Sequence, residues 1–267
     1  MLKDITLGQY FPGNTIVHKL DPRTKLILTM VYIISLFITG GYVSYIVMFA
    51  VLTGCVAASR IKPRNLIRGL KPVIFIIAFT AILNLFYTTG VPIVSFWIFT
   101  ITYEGIGTAI FMMSRIMMLV MGTFLLTYTT SPLALTDGVE SLLNPLKKIK
   151  LPVHELAMMM SIALRFIPTL IEETDKIMSA QKARGADFET GSLFDRAKAL
   201  LPVLIPLFVS AFKRADELAT AMECRCYHGG EGRTRMKQLK WHFRDALALF
   251  LGAALISCRI LLAGRGL

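Results

Sequence analysis

The chain has 267 residues, 55% of them hydrophobic, with a mean hydropathy of +0.62 and a formal net charge of +12. So much apolar surface excludes an ordinary water-soluble domain and points to an integral membrane protein. The placement of the charge excludes nucleic-acid binding as its main reason: residues 60–71 carry five Lys/Arg and no acid, whereas residues 90–104 carry only Glu104, which is the pattern of the positive-inside rule.

In chain order, the segment before Leu26 is polar, contains Pro12, Gly13, Asp21 and Pro22, and reads as no cleavable signal. From Leu26 to Ala58 runs an apolar stretch broken at Gly40-Gly41. As one helix it would be about 50 Å long at about 1.5 Å per residue, against about 30 Å of hydrocarbon, so it predicts two spans joined by a tight turn, the first of them short. The basic segment 60–71 is then an inside loop, and Val73 to Thr89 a third span. Pro92 and the β-branched and aromatic residues of 90–104 predict an outer loop or interfacial segment. Gly105 to Thr130 is a fourth span, and Phe243 to Leu262 a fifth. The expected fold is therefore all-α and polytopic, with about five transmembrane helices and long cytoplasmic helices. Residues 1–130 hold four spans, 131–242 form a cytoplasmic domain with helices near 133–146, 153–184 and 194–226, and 243–267 hold the last span. The N-terminus is expected in the cytoplasm and the C-terminus outside.

Two apolar pieces lie inside 131–242. Leu156–Ile171 carries Arg165 and Pro168, and Leu200–Phe212 is short for a span and interrupted by Pro202 and Pro206. Were both to cross, the loop 172–199 with its five Lys/Arg would face outward, so both are expected to lie under or partly in the membrane. Ser131 can cap a helix that starts at Pro132. Laid one on the other, the two segments that follow match Asp175 with Asp216, Ala180 with Ala221 and Arg184 with Arg225, while Glu172-Glu173 falls on Lys213-Arg214. Gly185 can end the first helix in a left-handed conformation. An arginine at a helix C-terminus has a plain structural use in offsetting the dipole. Two in matched positions suggest two similar helices serving two similar partners.

The stretch from Thr127 to Phe188, in particular Thr129–Pro132, Leu164–Pro168 and Ala183-Arg184-Gly185, resembles the membrane (T) component of energy-coupling factor transporters, as does the N-terminal segment 11–26 with His18, Asp21, Pro22 and Arg23. The resemblance implies a non-catalytic scaffold of an ATP-driven importer in the cell membrane. Its long coupling helices end in Ala-Arg-Gly-like motifs that dock on two ABC-type ATPase subunits, and it also holds a substrate-binding S component for a vitamin or a metal ion. By position, Ala183, Arg184 and Gly185 are the first ATPase-coupling motif, and Cys224, Arg225 and Cys226 the second. The second departs from the pattern, since cysteine resists the positive φ that glycine accepts. The N-terminal motif is expected to be structural.

The remaining constellations weigh less. No GxxxxGK[ST] occurs, so an ATP-driven function needs a partner motor. Cys224, Cys226 and His228 lack a fourth ligand, and neither a metal nor another cofactor is expected. The four cysteines suggest no disulfide framework. Glu172-Glu173 invites comparison with intramembrane CAAX-type proteases, but no arginine follows at the needed spacing, and a solvated pair is the simpler account. A stand-alone secondary transporter would need paired ionisable groups at mid-membrane, and spans one to four show only Arg115. Arg115 is a candidate for helix packing or S-component contact. The methionines around it (Met112, Met113, Met117, Met118 and Met121) are either apolar filling or an adaptable partner surface.

Overall fold

A computed structural model describes residues 10–38, 41–96, 99–188, 190, 192–230 and 238–264, with backbone alone over 92–101 and at 193 and 264. Gly40 of the expected tight turn lies outside the described residues. The chain divides into two compact units, one built from residues 8–138 and 239–267, the other from 139–238.

The first unit contains α1 (Pro22–Phe37), α2 (Tyr42–Ser59), α3 (Pro63–Leu70), α4 (Ile74–Tyr87), a hairpin of β1 (Pro92–Phe96) and β2 (Phe99–Thr102), α5 (Tyr103–Thr129) and α9 (Phe243–Gly264). The segment expected as an outer loop is thus an antiparallel hairpin, tied to the start of α5 by the Glu104 carboxylate, which accepts from the Val91 amide at 2.9 Å. α1 has 16 residues, about 24 Å of helix, which is short for the hydrocarbon core. α2, α5 and α9 are long and apolar enough to cross a membrane, and α3 with α4 can form one bent span, with 63° between them. The protein is a multi-pass membrane protein.

Helix directions follow from the contacts. α5 is the common neighbour of α1, α2, α3 and α4. α1 runs antiparallel to α5, because Lys25 near its start donates to the Thr129 carbonyl at the end of α5 (2.8 Å), while Leu36 near its finish packs with Met118. α2 runs with α5: the Tyr42 and Phe111 rings pack with centroids 4.6 Å apart, and Leu52 sits with Met118. α4 opposes α5, with the Thr88 and Thr108 hydroxyls 3.2 Å apart. α9 runs parallel to α1 and is fastened to both its ends. The Asp245 carboxylate accepts from the Asp21 amide at α1's start (2.8 Å), and the Arg259 guanidinium donates to the Ser35 and Ile38 carbonyls at its end (3.0 and 2.6 Å). An acid thus lies at the positive end of the α1 dipole and a base at its negative end.

The N-terminal motif is structural, as expected. The Asp21 carboxylate caps α1 through the Arg23 amide, His18 is held by Thr15 and the Phe11 carbonyl, and the Phe11 amide donates to Tyr128 at the end of α5. The Met cluster divides. Met118 is buried in the core and Met121 packs against it, whereas Met112 and Met117 are exposed. Gly122 lets α1 approach α5, since a Cβ there would lie 2.7 Å from the Tyr32 ring. Without a hydrophobic drive between helices in lipid, such close approach supplies the packing. Gly122→Leu is expected to lower stability by about 1–3 kcal/mol, read as a fall in the unfolding temperature of the detergent-solubilised protein.

The second unit holds α7 (Val153–Ala183) and α8 (Leu193–Glu223), after α6 (Pro132–Leu143), which spans the boundary, and a 3-10 turn over Asn144–Ile149. Pro132 opens α6 and Ser131 Oγ accepts from the Ala134 amide, the cap that the sequence predicts. α7, with 31 residues, is also long and apolar enough to cross a membrane, whereas α8 is not. Pro168 lies inside α7, and Pro202 and Pro206 inside α8.

Candidate functional site

The two sequence-matched arginines sit at two matched helix ends. At the end of α7 the Gly185 amide donates to Lys182 (3.0 Å) and the Ala186 amide to Gln181 (3.0 Å). At the end of α8 the Cys226 amide donates to Glu223 (2.8 Å) and the Tyr227 amide to Met222 (3.1 Å). Both are the paired bonds of a Schellman motif, with the arginine at the C-cap and the next residue left-handed: Gly185 at φ +88 and Cys226 at φ +55. The expected difficulty with cysteine is therefore met by strain and not by a different ending. A left-handed non-glycine residue costs about 1–2 kcal/mol. Accordingly, Cys226→Gly is expected to stabilise the α8 end by about 1 kcal/mol, and Gly185→Val to destabilise the α7 end by about as much or more, both read as amide hydrogen-exchange protection of the last turn.

Ala183, Arg184, Gly185, Cys224, Arg225 and Cys226 are all exposed. Among the described residues neither arginine is engaged by a carboxylate. What this arrangement can do is present a planar fork of donors at each helix end, suited to a carboxylate or to carbonyl oxygens on another protein. α7 and α8 run antiparallel where they touch. The Glu173 carboxylate accepts from Arg214 (2.9 Å) and Ser210 (2.5 Å), and Gln181 faces the Pro202 carbonyl (3.4 Å). The two arginines therefore lie at opposite ends of the pair. The same contacts correct the reading of Glu172-Glu173 as a solvated pair, because Glu173 is held between two residues of α8.

Arg115 donates from Nε and Nη2 to the Tyr45 hydroxyl (2.9 and 2.6 Å), linking α5 to α2. Arg259 also lies against that ring, 5.9 Å from its centroid. Sequence reasoning passed over Asp245 and Arg259, both 1% exposed, although each was visible as a charge within the last apolar segment. Among the described residues, no three of His, Cys, Asp and Glu come together as metal ligands.

Residues 13–236 match the family CbiQ, described as cobalt transport protein. The chain is 56% identical over 247 residues to a protein of Ruminiclostridium cellulolyticum, 92% of each chain being covered. It is 52% identical over 263 residues to one from Clostridium kluyveri (98% of this chain, 97% of that one) and 50% identical over 260 residues to one from Bacillus subtilis (96% and 98%). All three are named energy-coupling factor transporter transmembrane protein EcfT.

Proposed function

Because this chain belongs to the CbiQ family and is the transmembrane T component of an energy-coupling factor transporter, we propose that Arg184 and Arg225 are its contacts with two ABC-type ATPase subunits. The carrying observation is the pair of equivalent, exposed arginine caps, neither engaged by a carboxylate among the described residues, at opposite ends of an antiparallel helix pair. One partner could not readily take both, whereas two similar partners, one at each end, could. The T component is a membrane subunit of a transporter and has no recognisable ATPase of its own, so the motor is assigned to those partners. An S component would bring the substrate, a vitamin or a metal ion. The secondary-transporter and intramembrane-protease readings have no support.

The topology reading places the N-terminus and the α7–α8 unit in the cytoplasm and the C-terminus outside. It is supported by parity. The contacts make α1, α2, α4 and α5 differ in direction as successive spans require, and α9 run parallel to α1. A single crossing by α7 would invert α9, so its length and hydropathy do not make it a span by themselves. Arg115 is assigned to helix packing through Tyr45 rather than to S-component contact.

The test is co-purification of the chain with its two ATPases and an S component, with uptake measured in proteoliposomes, comparing the native chain with Arg184→Ala, Arg225→Ala and the double variant. Loss of the ATPases or of ATP-driven uptake in the double variant supports the assignment. Intact assembly and uptake would overturn it.

A further inference from the structure

α7 and α8 each have 31 residues and end in the same cap. Glu173 and Arg214 occupy matched positions, in the same register that lays Arg184 on Arg225, and they touch. Each is therefore the other's equivalent. When two antiparallel helices meet through equivalent positions, the contact lies on a local two-fold axis, as it does in an isologous interface. On such an axis two identical charges would face and repel. Here one helix carries the acid and the other the base, so the reversal of charge between Glu172-Glu173 and Lys213-Arg214 acquires a physical reason: it permits this crossing and disfavours a crossing of like helices.

The contact is a closed triangle. Ser210 Oγ donates to Glu173 Oε1 (2.5 Å), Arg214 Nη2 donates to Glu173 Oε2 (2.9 Å), and Arg214 Nε reaches Ser210 Oγ (3.4 Å). The Glu173 side chain is 22% exposed and that of Arg214 36%. Three mutually bonded groups fix both position and rotation of the crossing more firmly than a single exposed ion pair, which by itself contributes little. Each docking arginine lies equally far beyond its own member of the pair, Arg184 past Glu173 and Arg225 past Arg214. That distance is about 16 Å along either helix axis.

We infer that Glu173, Arg214 and Ser210 are positioning residues that pin the crossing of α7 and α8 and so hold the two docking arginines at equal distances from a common axis, fitting them to a two-fold-related pair of partner subunits. The inference rests on the proposed role of Arg184 and Arg225 only for its last step. The pinning itself can be measured without any partner.

The experiment uses the full chain in lipid nanodiscs with its own four cysteines changed to serine. Spin labels are placed at the exposed, equivalent positions Ala180→Cys and Ala221→Cys. With Glu173 and Arg214 intact, the distance distribution between the labels should be narrow. Glu173→Arg, which sets two guanidinium groups against each other, should broaden it at least twofold, as should Arg214→Glu. The exchanged pair Glu173→Arg/Arg214→Glu should narrow it again. In the complete transporter with native cysteines, the single changes should keep both ATPases, since the arginine caps remain, but lower substrate taken up per ATP hydrolysed about tenfold. The exchanged pair should restore that ratio to within about twofold. An unchanged distribution in the single variants, or no recovery in the exchanged pair, overturns the pinning. Recovery of the distribution without recovery of the uptake ratio overturns its connection to coupling. Failure of the docking role itself would show separately, as ATPases retained by the Arg184→Ala/Arg225→Ala chain.

Discussion

Asp245→Ala is expected to lower the stability of the protein by about 3 kcal/mol. The carboxylate is 1% exposed and accepts from two backbone amides, Asp21 at 2.8 Å and His242 at 2.9 Å. Hydrogen bonds to a charged group contribute about 1.5–3 kcal/mol each, and amides left buried without an acceptor cost about 1–3 kcal/mol. The loss also removes a negative charge from the start of α1, worth up to about 1–2 kcal/mol at a partly buried site. These contributions overlap, so they are not summed. Asp245→Asn keeps one acceptor oxygen but turns its NH2 towards the second amide, since Oδ1 and Oδ2 each accept from a different N–H, so it should recover little and lose about 2–3 kcal/mol. Thermal unfolding in detergent measures both. Equal stability of the alanine variant and the native chain would show that the α1–α9 attachment rests on apolar packing alone.

The second large effect concerns assembly. Each of Arg184→Ala and Arg225→Ala is expected to weaken retention of one ATPase by roughly 30-fold, the effect of losing a central interface arginine worth about 2 kcal/mol. The two ends are remote from each other, so their losses should be nearly additive, and the double variant should weaken the complex by roughly 1,000-fold. Arg184→Lys should recover only part of the loss, because an ammonium keeps the charge but not the planar fork of donors. Quantitative pull-down of the two ATPases over a dilution series measures these ratios. A full recovery with lysine would show that charge alone is recognised.

Much of this was legible in one dimension. The hydropathy runs marked the membrane helices because lipid offers no partner for backbone groups, which forces long, apolar, self-bonded helices. Ser131-Pro132 marked the start of α6, Gly185 marked the end of α7, and the match between the two segments found the two arginines. Other features failed to show because they are relations between distant segments. Cys226 gave no sign of a left-handed residue, since its conformation is imposed by the bonds of the last turn and not by its own preference. Glu173 looked solvated because its partners, Ser210 and Arg214, are 37 and 41 residues away. Asp245 and Arg259 were visible as charges in an apolar segment, but their purpose depends on the ends of α1, 224 residues earlier.

The sequence by itself determined the class of protein, the family and the position of the two arginines. Each of these depends on local composition, on helix period or on short motifs. Only the tertiary structure decided that the charges of α9 are matched to the dipole of α1, and that the α7–α8 crossing falls on Glu173 and Arg214. Both are relations between segments far apart in the chain, and for the α1–α9 contacts burial adds a second reason. A buried charge is tolerated only where a specific opposite charge or dipole meets it, and which groups meet is settled by how helices pack.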